Sequence, residues 1–480
     1  MNITRSLVAW EALEQVEHMK ELNKCLWEIV LLKGLCMEQG SRPGSFGIGY
    51  GQNDTYNVLD IGAFGDGGAT QVLNIPQGKT YLLKPLKFVG PCNANKVQIE
   101  LIGIVYSKTT FDVVKFGAVG DGQTDDSEAF VNAWKALCGA AAAGDDVPTL
   151  TIPGGKTFLL QPSEFEGPCK SKSVHVQVSG NLMAPKTPDA WKVCPSYSWL
   201  SFRNVDHLIL DGSGKIDGQG SAWWSKALQF HRCDHLRLSG LTHINSPRSH
   251  IGIGTSNDVD ISHLTIIAPD ESPNTDGINV ANSTYVYIHD SKIGTGDDCI
   301  AISSGASNVR IAKIACGPGH GISVGSLGAN GAYAAVENVY VRDCSFNGTQ
   351  NGARIKTWPG GSGYARNITF ENITLTATKN PIIIDQQYCN GAHDCAKQSK
   401  AVLVSNVRFT DFRGTCGNEE AIKLDCNHIS GCQNIELVKI NITSTVPSKK
   451  VYASCNNAKG NSGSTVPTVS CLKYPTRPFI

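Results

Sequence analysis

From residue 205 onward the chain repeats one short motif in which two apolar residues flank a variable one. The copies are Leu236-Arg237-Leu238, Val259-Asp260-Ile261, Val286-Tyr287-Ile288, Val309-Arg310-Ile311, Val339-Tyr340-Val341, Ile368-Thr369-Phe370, Val407-Arg408-Phe409 and Ile435-Glu436-Leu437. Their starts are 23, 27, 23, 30, 29, 39 and 28 residues apart. Alternation with a period of two is that of a strand with one face turned inward. A strand this short cannot bury its apolar face alone, so successive units must stack, with the extra length extruded as loops. Helical solenoids have similar periods, but these runs are β-branched, short and bounded by Gly, Asn and Asp. The pattern predicts an all-β chain coiled as a parallel β-helix. Residues of equal phase in neighbouring coils then lie roughly 4.8 Å apart.

Two stretches depart from this pattern. Leu13, Val16, Met19, Leu22, Leu26 and Ile29 recur at helical spacing and predict an amphipathic helix near the start. The segment from Asp125 to Leu137 reads as a capped helix with Phe130, Trp134 and Leu137 on its apolar face. A helix there can cover the open end of a strand ladder, which would otherwise template aggregation. Between the two lies a duplication. Residues 60–67 (DIGAFGDG) match 115–122 (KFGAVGDG) at an offset of 55, and 75–85 match 152–162 at an offset of 77, so the first copy lacks 22 residues, the capping helix among them. Residues 1–105 are therefore expected to form an appendage, with residues 110–180 as the true N-terminal cap of a β-helix spanning 106–480.

Composition narrows the setting. The 480 residues include 50 Gly, as many short strands and turns require. Lys plus Arg number 42, as do Asp plus Glu, so no net field draws in a polyanion and no basic stripe suggests nucleic acid. Seventeen Cys, several closely spaced (Cys299 and Cys316, Cys389 and Cys395, Cys426 and Cys432, Cys455 and Cys471), favour an oxidising compartment. No Cys-x-x-Cys pair points to structural zinc. Seven Asn-x-Ser/Thr sequons agree with secretion. Residues 1–40 oppose it, because Glu11, Glu14, Glu17, Glu21 and Glu28 interrupt what should be an apolar leader core. No segment has the roughly 20 apolar residues needed to span a bilayer.

Four polar motifs fall in order along the repeat: Asn274-Thr275-Asp276, Gly296-Asp297-Asp298, Gly319-His320-Gly321 and Arg354-Ile355-Lys356. Singly, the first three read as turns and the last as a strand with two outward charges. Paired Asp could also ligate calcium. Together they are different, since Asp276, Asp298 and His320 recur at 22-residue intervals and so share one phase, on one exposed sheet. Neighbouring carboxylates cannot all ionise freely, so one retains a proton, as glycosidic hydrolysis by an acid and a base requires. His320 can tune that proton. Arg354 and Lys356 can hold an acidic sugar, the first by a fork and the second as a point charge.

At these residues the chain resembles the polygalacturonases, pectin-hydrolysing glycoside hydrolases of the right-handed parallel β-helix fold, and in particular their plant branch. The resemblance rests on Ser272-Pro-Asn-Thr-Asp-Gly-Ile278, Thr295-Gly-Asp-Asp-Cys-Ile300, the run from Cys316 to Gly328, Arg354-Ile-Lys-Thr-Trp358 and Tyr388, and covers about 110–480. It implies an inverting enzyme without cofactor or catalytic metal, with Asp298 as general acid and Asp276 and Asp297 activating water. His320 would maintain the acid's protonation, and Asn274, Arg354, Lys356 and Tyr388 would bind galacturonate, although Asn274 could simply shape its turn and Tyr388 could simply pack beside Cys389. The resemblance further implies a Cys299–Cys316 disulfide, with Cys389–Cys395 and Cys426–Cys432 as further local candidates. Asn279 departs from the plant pattern, where His is frequent. The partner implied is pectin or polygalacturonate, with no nucleic acid and no membrane, and the protein is expected to be a monomer secreted to the cell wall. A hydrolase of decorated pectin and a catalytically silent pectin-binding β-helix are the alternatives. A pectate lyase fits poorly, because elimination needs calcium and a strong base.

Overall fold

The computed structural model describes residues 109–473, apart from 143–145, 188–197, 221–225, 390–394 and 397, together with two short strands, Val72–Asn74 and Gln98–Glu100, that pair in parallel. The chain divides into two compact units after Ser107. The helix expected near the start and most of the duplicated segment lie outside the described residues.

The second unit is a right-handed parallel β-helix. Eleven strands, from Ser163–Glu166 to Tyr452–Asn456, stack in sequence order into one parallel sheet, and the remaining strands of the coil form a larger sheet. Register on the larger sheet follows the triplet repeat: Leu238 pairs with Ile261, Val259 with Val286, Val286 with Val309, Val309 with Val339, Val339 with Ile368, Ile368 with Val407 and Val407 with Ile435. Each spacing read from the sequence is thus one turn of the solenoid. On the smaller sheet Ile278, Ile300 and Ile322 pair in turn, a coil of 22 residues, tighter than its neighbours on either side.

Stacking produces columns. Ile253, Val280, Ile302, Val324, Ile355 and Ile384 occupy successive coils at one phase, and all are buried. Each such side chain contributes about 1.5–3 kcal/mol through burial. At the bend that enters the larger sheet, Asn308, Asn338, Asn367, Asn406 and Asn434 all adopt φ near +55°, a conformation that Asn tolerates better than most residues. Their amides form a ladder, the Nδ2 of each of the last four donating to the Oδ1 of the preceding coil at 2.8–3.1 Å, and that of Asn308 to Thr284 Oγ1 at 3.3 Å.

The first coil is closed by the helix Ser127–Gly139, which buries Phe130, Trp134 and Leu137. Trp134 meets Phe165 and Phe202 edge-on, its Nε1 donates to the Glu166 carbonyl at 3.0 Å, and a Cys138–Cys169 disulfide ties down the helix end. Capping differs from the sequence expectation. Asp126 turns away from the helix to accept the Val119 and Gly120 N–H groups, and Asp125 accepts the Ser127 N–H instead.

Candidate active site

The four motifs converge on the smaller sheet, the first three in the turns that feed three successive strands and the fourth on the next strand, Asn351–Thr357. Asp276, Asp298 and His320 each lie two residues before their strand, at Ile278–Ala281, Ile300–Ile302 and Ile322–Leu327. They share a register, but as turn residues and not on an exposed sheet face, and Asp298 is only 1% exposed. The turns interlock. Thr275 Oγ1 accepts the Gly296 N–H at 2.9 Å and donates to Ser272 O, while the His320 N–H donates to Asp297 O at 2.7 Å. Gly296 is required here, because a Cβ would lie 2.0 Å from Ser272 O. A disulfide between Cys299 and Cys316 spans the coil between the Asp pair and the His motif.

Asp298 is the hub. Its Oδ1 accepts from Ser323 Oγ at 2.7 Å and Arg354 Nη2 at 2.6 Å, and its Oδ2 accepts from Lys356 Nζ at 2.8 Å. Arg354 and Lys356, legible in the sequence as outward charges, are buried on the strand Asn351–Thr357 and directed at this carboxylate. Ser323 Oγ also accepts from Arg354 Nε at 2.9 Å, which fixes the guanidinium. The imidazole of His320 reaches Asp297 and not Asp298: Nδ1 lies 3.0 Å from Asp297 Oδ1, which also accepts the Asp298 N–H at 2.8 Å. Equal phase brought the Asp298 and His320 backbones together, and side-chain direction then chose a different partner.

The trio titrates unequally. Burial, then the charges of Asp297 and Asp298, push Asp276 up to about 8, and the Asn279 hydrogen bond and Lys356 offset this only in part. Burial also opposes ionisation of Asp297, but the hydrogen bond and charge of His320, with Lys356 and the Asp298 N–H, outweigh it and hold Asp297 at about 2. Asp276 thus holds its proton beside Asp298, whose two oxygens are paired to Arg354 and Lys356.

The remaining predicted residues sit at the margin. Asn274 is exposed, in a turn with φ of 56°. Tyr388 places its ring 5.3 Å from Lys356 Nζ and packs edge-on against Trp358. Sequence reasoning treated Asn279 as peripheral and overlooked Ser323. Both share the Arg354 row, and Asn279 Nδ2 donates to Asp276 Oδ2 at 2.9 Å. Counting three residues beyond Asp276 and His320 would have found them. Asp297, Asp298 and His320 offer donor atoms within 4.8 Å of one another, a spacing that could suit a metal. Both Asp298 oxygens are committed to cations, however, and those charges repel another. Away from the site, Cys426–Cys432 and Cys455–Cys471 form disulfides, while Cys389 Sγ accepts the Cys395 N–H at 3.1 Å.

Comparison with known proteins adds kinship to this geometry. The sequence profile of Glycosyl hydrolases family 28 matches residues 143–471. A probable polygalacturonase of Arabidopsis thaliana is 50% identical over 386 residues, 78% of this chain and 83% of that protein. Among solved structures, the endo-xylogalacturonan hydrolase from Aspergillus tubingensis superposes with a TM-score of 0.62 at 26% identity, over 73% of this chain and 96% of that one. The polygalacturonase from Erwinia carotovora gives 0.59 at 20% identity, over 76% and 99%, and speaks to the fold alone.

Proposed function

The chain belongs to glycosyl hydrolase family 28, and from that premise we propose how its residues divide the work. The protein is a glycoside hydrolase that cleaves the α-1,4-galacturonosidic bonds of polygalacturonate by the family's inverting acid/base route. Asp298 protonates the departing oxygen, and Asp276 and Asp297 activate the attacking water. Arg354, Lys356, Tyr388 and Asn274 bind the sugar.

One observation carries this assignment: Asp298 holds the two cations that the substrate also needs. A galacturonate carboxylate entering the cleft competes for Arg354 and Lys356. As it draws them off, Asp298 loses its counter-charges next to two other carboxylates, and the proton stored on Asp276 passes to it. Substrate binding thus arms the acid and bares the base in one transfer. His320 keeps Asp297 ionised throughout and holds it in orientation for water.

Four disulfides among the described residues support secretion into an oxidising space such as the cell wall. No helix among the described residues is long and apolar enough to cross a membrane. The protein is taken to act as a monomer on pectin. The compact division after Ser107 supports treating residues 1–105 as an appendage to a catalytic body of 106–480.

Reducing-sugar release from unesterified polygalacturonate tests the activity, and Arg354→Ala should raise KM for that substrate. Release from xylogalacturonan with none from polygalacturonate would replace this assignment with a decorated-pectin hydrolase. Release from neither would leave a binding protein.

A further inference from the structure

The larger sheet carries a second concave surface, remote in register from the catalytic turns. A groove of about 970 Å³ runs along its outer face across four coils. Its central row is Tyr287, Arg310 and Tyr340, paired across adjacent strands, with the Tyr287 ring stacked on His289 and the Tyr340 hydroxyl donating to Glu371. Ala312, one step along, pairs with His289 and Arg342 and leaves room beside that row. At the rim Tyr285 is 64% exposed. No carboxylate lines the groove.

Arg310 is the anomaly. On the same sheet Arg237, Arg342, Arg366, Arg408 and Arg413 each have a carboxylate within ion-pairing distance. Arg310 is exposed and has neither an ion pair nor a side-chain hydrogen bond among the described residues. A guanidinium without a carboxylate partner, on a row with two tyrosines, suits a carboxylate borne on a partly apolar ring, since the fork takes the charge and a phenol offers a ring face.

We infer that this groove is a second polysaccharide-binding surface, which holds an anionic uronic-acid chain outside the catalytic cleft. It keeps the enzyme on long or insoluble polymer while the cleft acts on another segment. The occupant class rests on the reading of the substrate as galacturonan. Mass action explains the benefit, since a tethered polymer raises its own concentration at the cleft.

The test uses the full chain with Arg310→Ala, Arg310→Glu and Tyr285→Ala, and two readouts. Adsorption to insoluble pectate is measured directly, and turnover is compared between long polygalacturonate and trigalacturonate. Removing one exposed charge pair should weaken adsorption about threefold to fivefold, and charge reversal should weaken it further. KM for the polymer should rise in parallel while turnover of trigalacturonate is unchanged. Adsorption equal to wild type in all three variants would overturn the inference, as would equal adsorption to fully methyl-esterified pectin. A glycan found on Asn367, whose side chain lines the groove, would also overturn it by filling the space. Should the wild type release no sugar from either substrate, the catalytic assignment fails while adsorption still decides the groove.

Discussion

Replacing Asp298 with Asn probes the site through charge and chemistry together. The carboxylate is 1% exposed and accepts from Ser323, Arg354 and Lys356. Removing one member of a buried ion pair without compensation costs about 3–5 kcal/mol. Compensation is available here, because Asp276 keeps its proton partly through repulsion from Asp298. Loss of that repulsion lowers the value of Asp276, which burial and Asp297 still raise, and so lets it restore part of the balance with the two cations. The amide oxygen still accepts from one donor, so the remaining loss is about one charge-assisted hydrogen bond, roughly 1.5–3 kcal/mol. For a body of this size that is a fall in melting temperature of about 2–4 °C. Catalysis suffers far more, since losing a general acid removes about 10²- to 10⁴-fold in rate. Reducing-sugar release and thermal unfolding should be read on the same preparation. Activity above about a tenth of wild type would remove Asp298 from the proton-donor role. A fall in melting temperature beyond about 4 °C would show that Asp276 does not compensate.

Asp276 also sets a dependence of stability on pH. Its folded-state value of about 8 lies above the ordinary 3.8, so the folded protein holds an extra proton across that window and loses stability as pH rises through it. Asp276→Asn should therefore raise the melting temperature, relative to wild type, more at pH 7 than at pH 4, and equal differences at both would refute the shift. The Cys299–Cys316 bridge closes a 17-residue separation, so Cys299→Ser with Cys316→Ser should cost about 3 kcal/mol and lower activity by loosening the turn between Asp298 and His320. Unfolding curves and activity indistinguishable from wild type would show the bridge to be dispensable.

Much of the architecture was legible because a β-helix converts linear spacing directly into register. The triplet steps, including the long one of 39, recur as strand pairs, with the extra residues accommodated in loops. An Asn precedes each triplet from Val309 onward and marks the bend ladder, a signal that periodicity of apolar residues alone does not reveal. The site was legible to the level of the backbone. Spacing fixed which coils carry Asp276, Asp298 and His320, but phase says nothing about rotamers, so the turn of His320 toward Asp297 and the burial of Arg354 and Lys356 needed coordinates. Asn279 and Ser323 were hidden because each is an ordinary polar residue whose importance comes from its neighbour across the sheet. Cys138 and Cys169, 31 residues apart, gave no local signal of pairing.

The stereochemistry of the first product tests the central claim most directly. In the proposed assignment, water activated at Asp276 and Asp297 while Asp298 protonates the leaving oxygen displaces the α linkage in one step. Proton NMR of polygalacturonate digests, taken before the new reducing ends mutarotate, should show the β-anomer first. Initial release of the α-anomer would mean a covalent intermediate on one of these carboxylates and would contradict the single-displacement site described here.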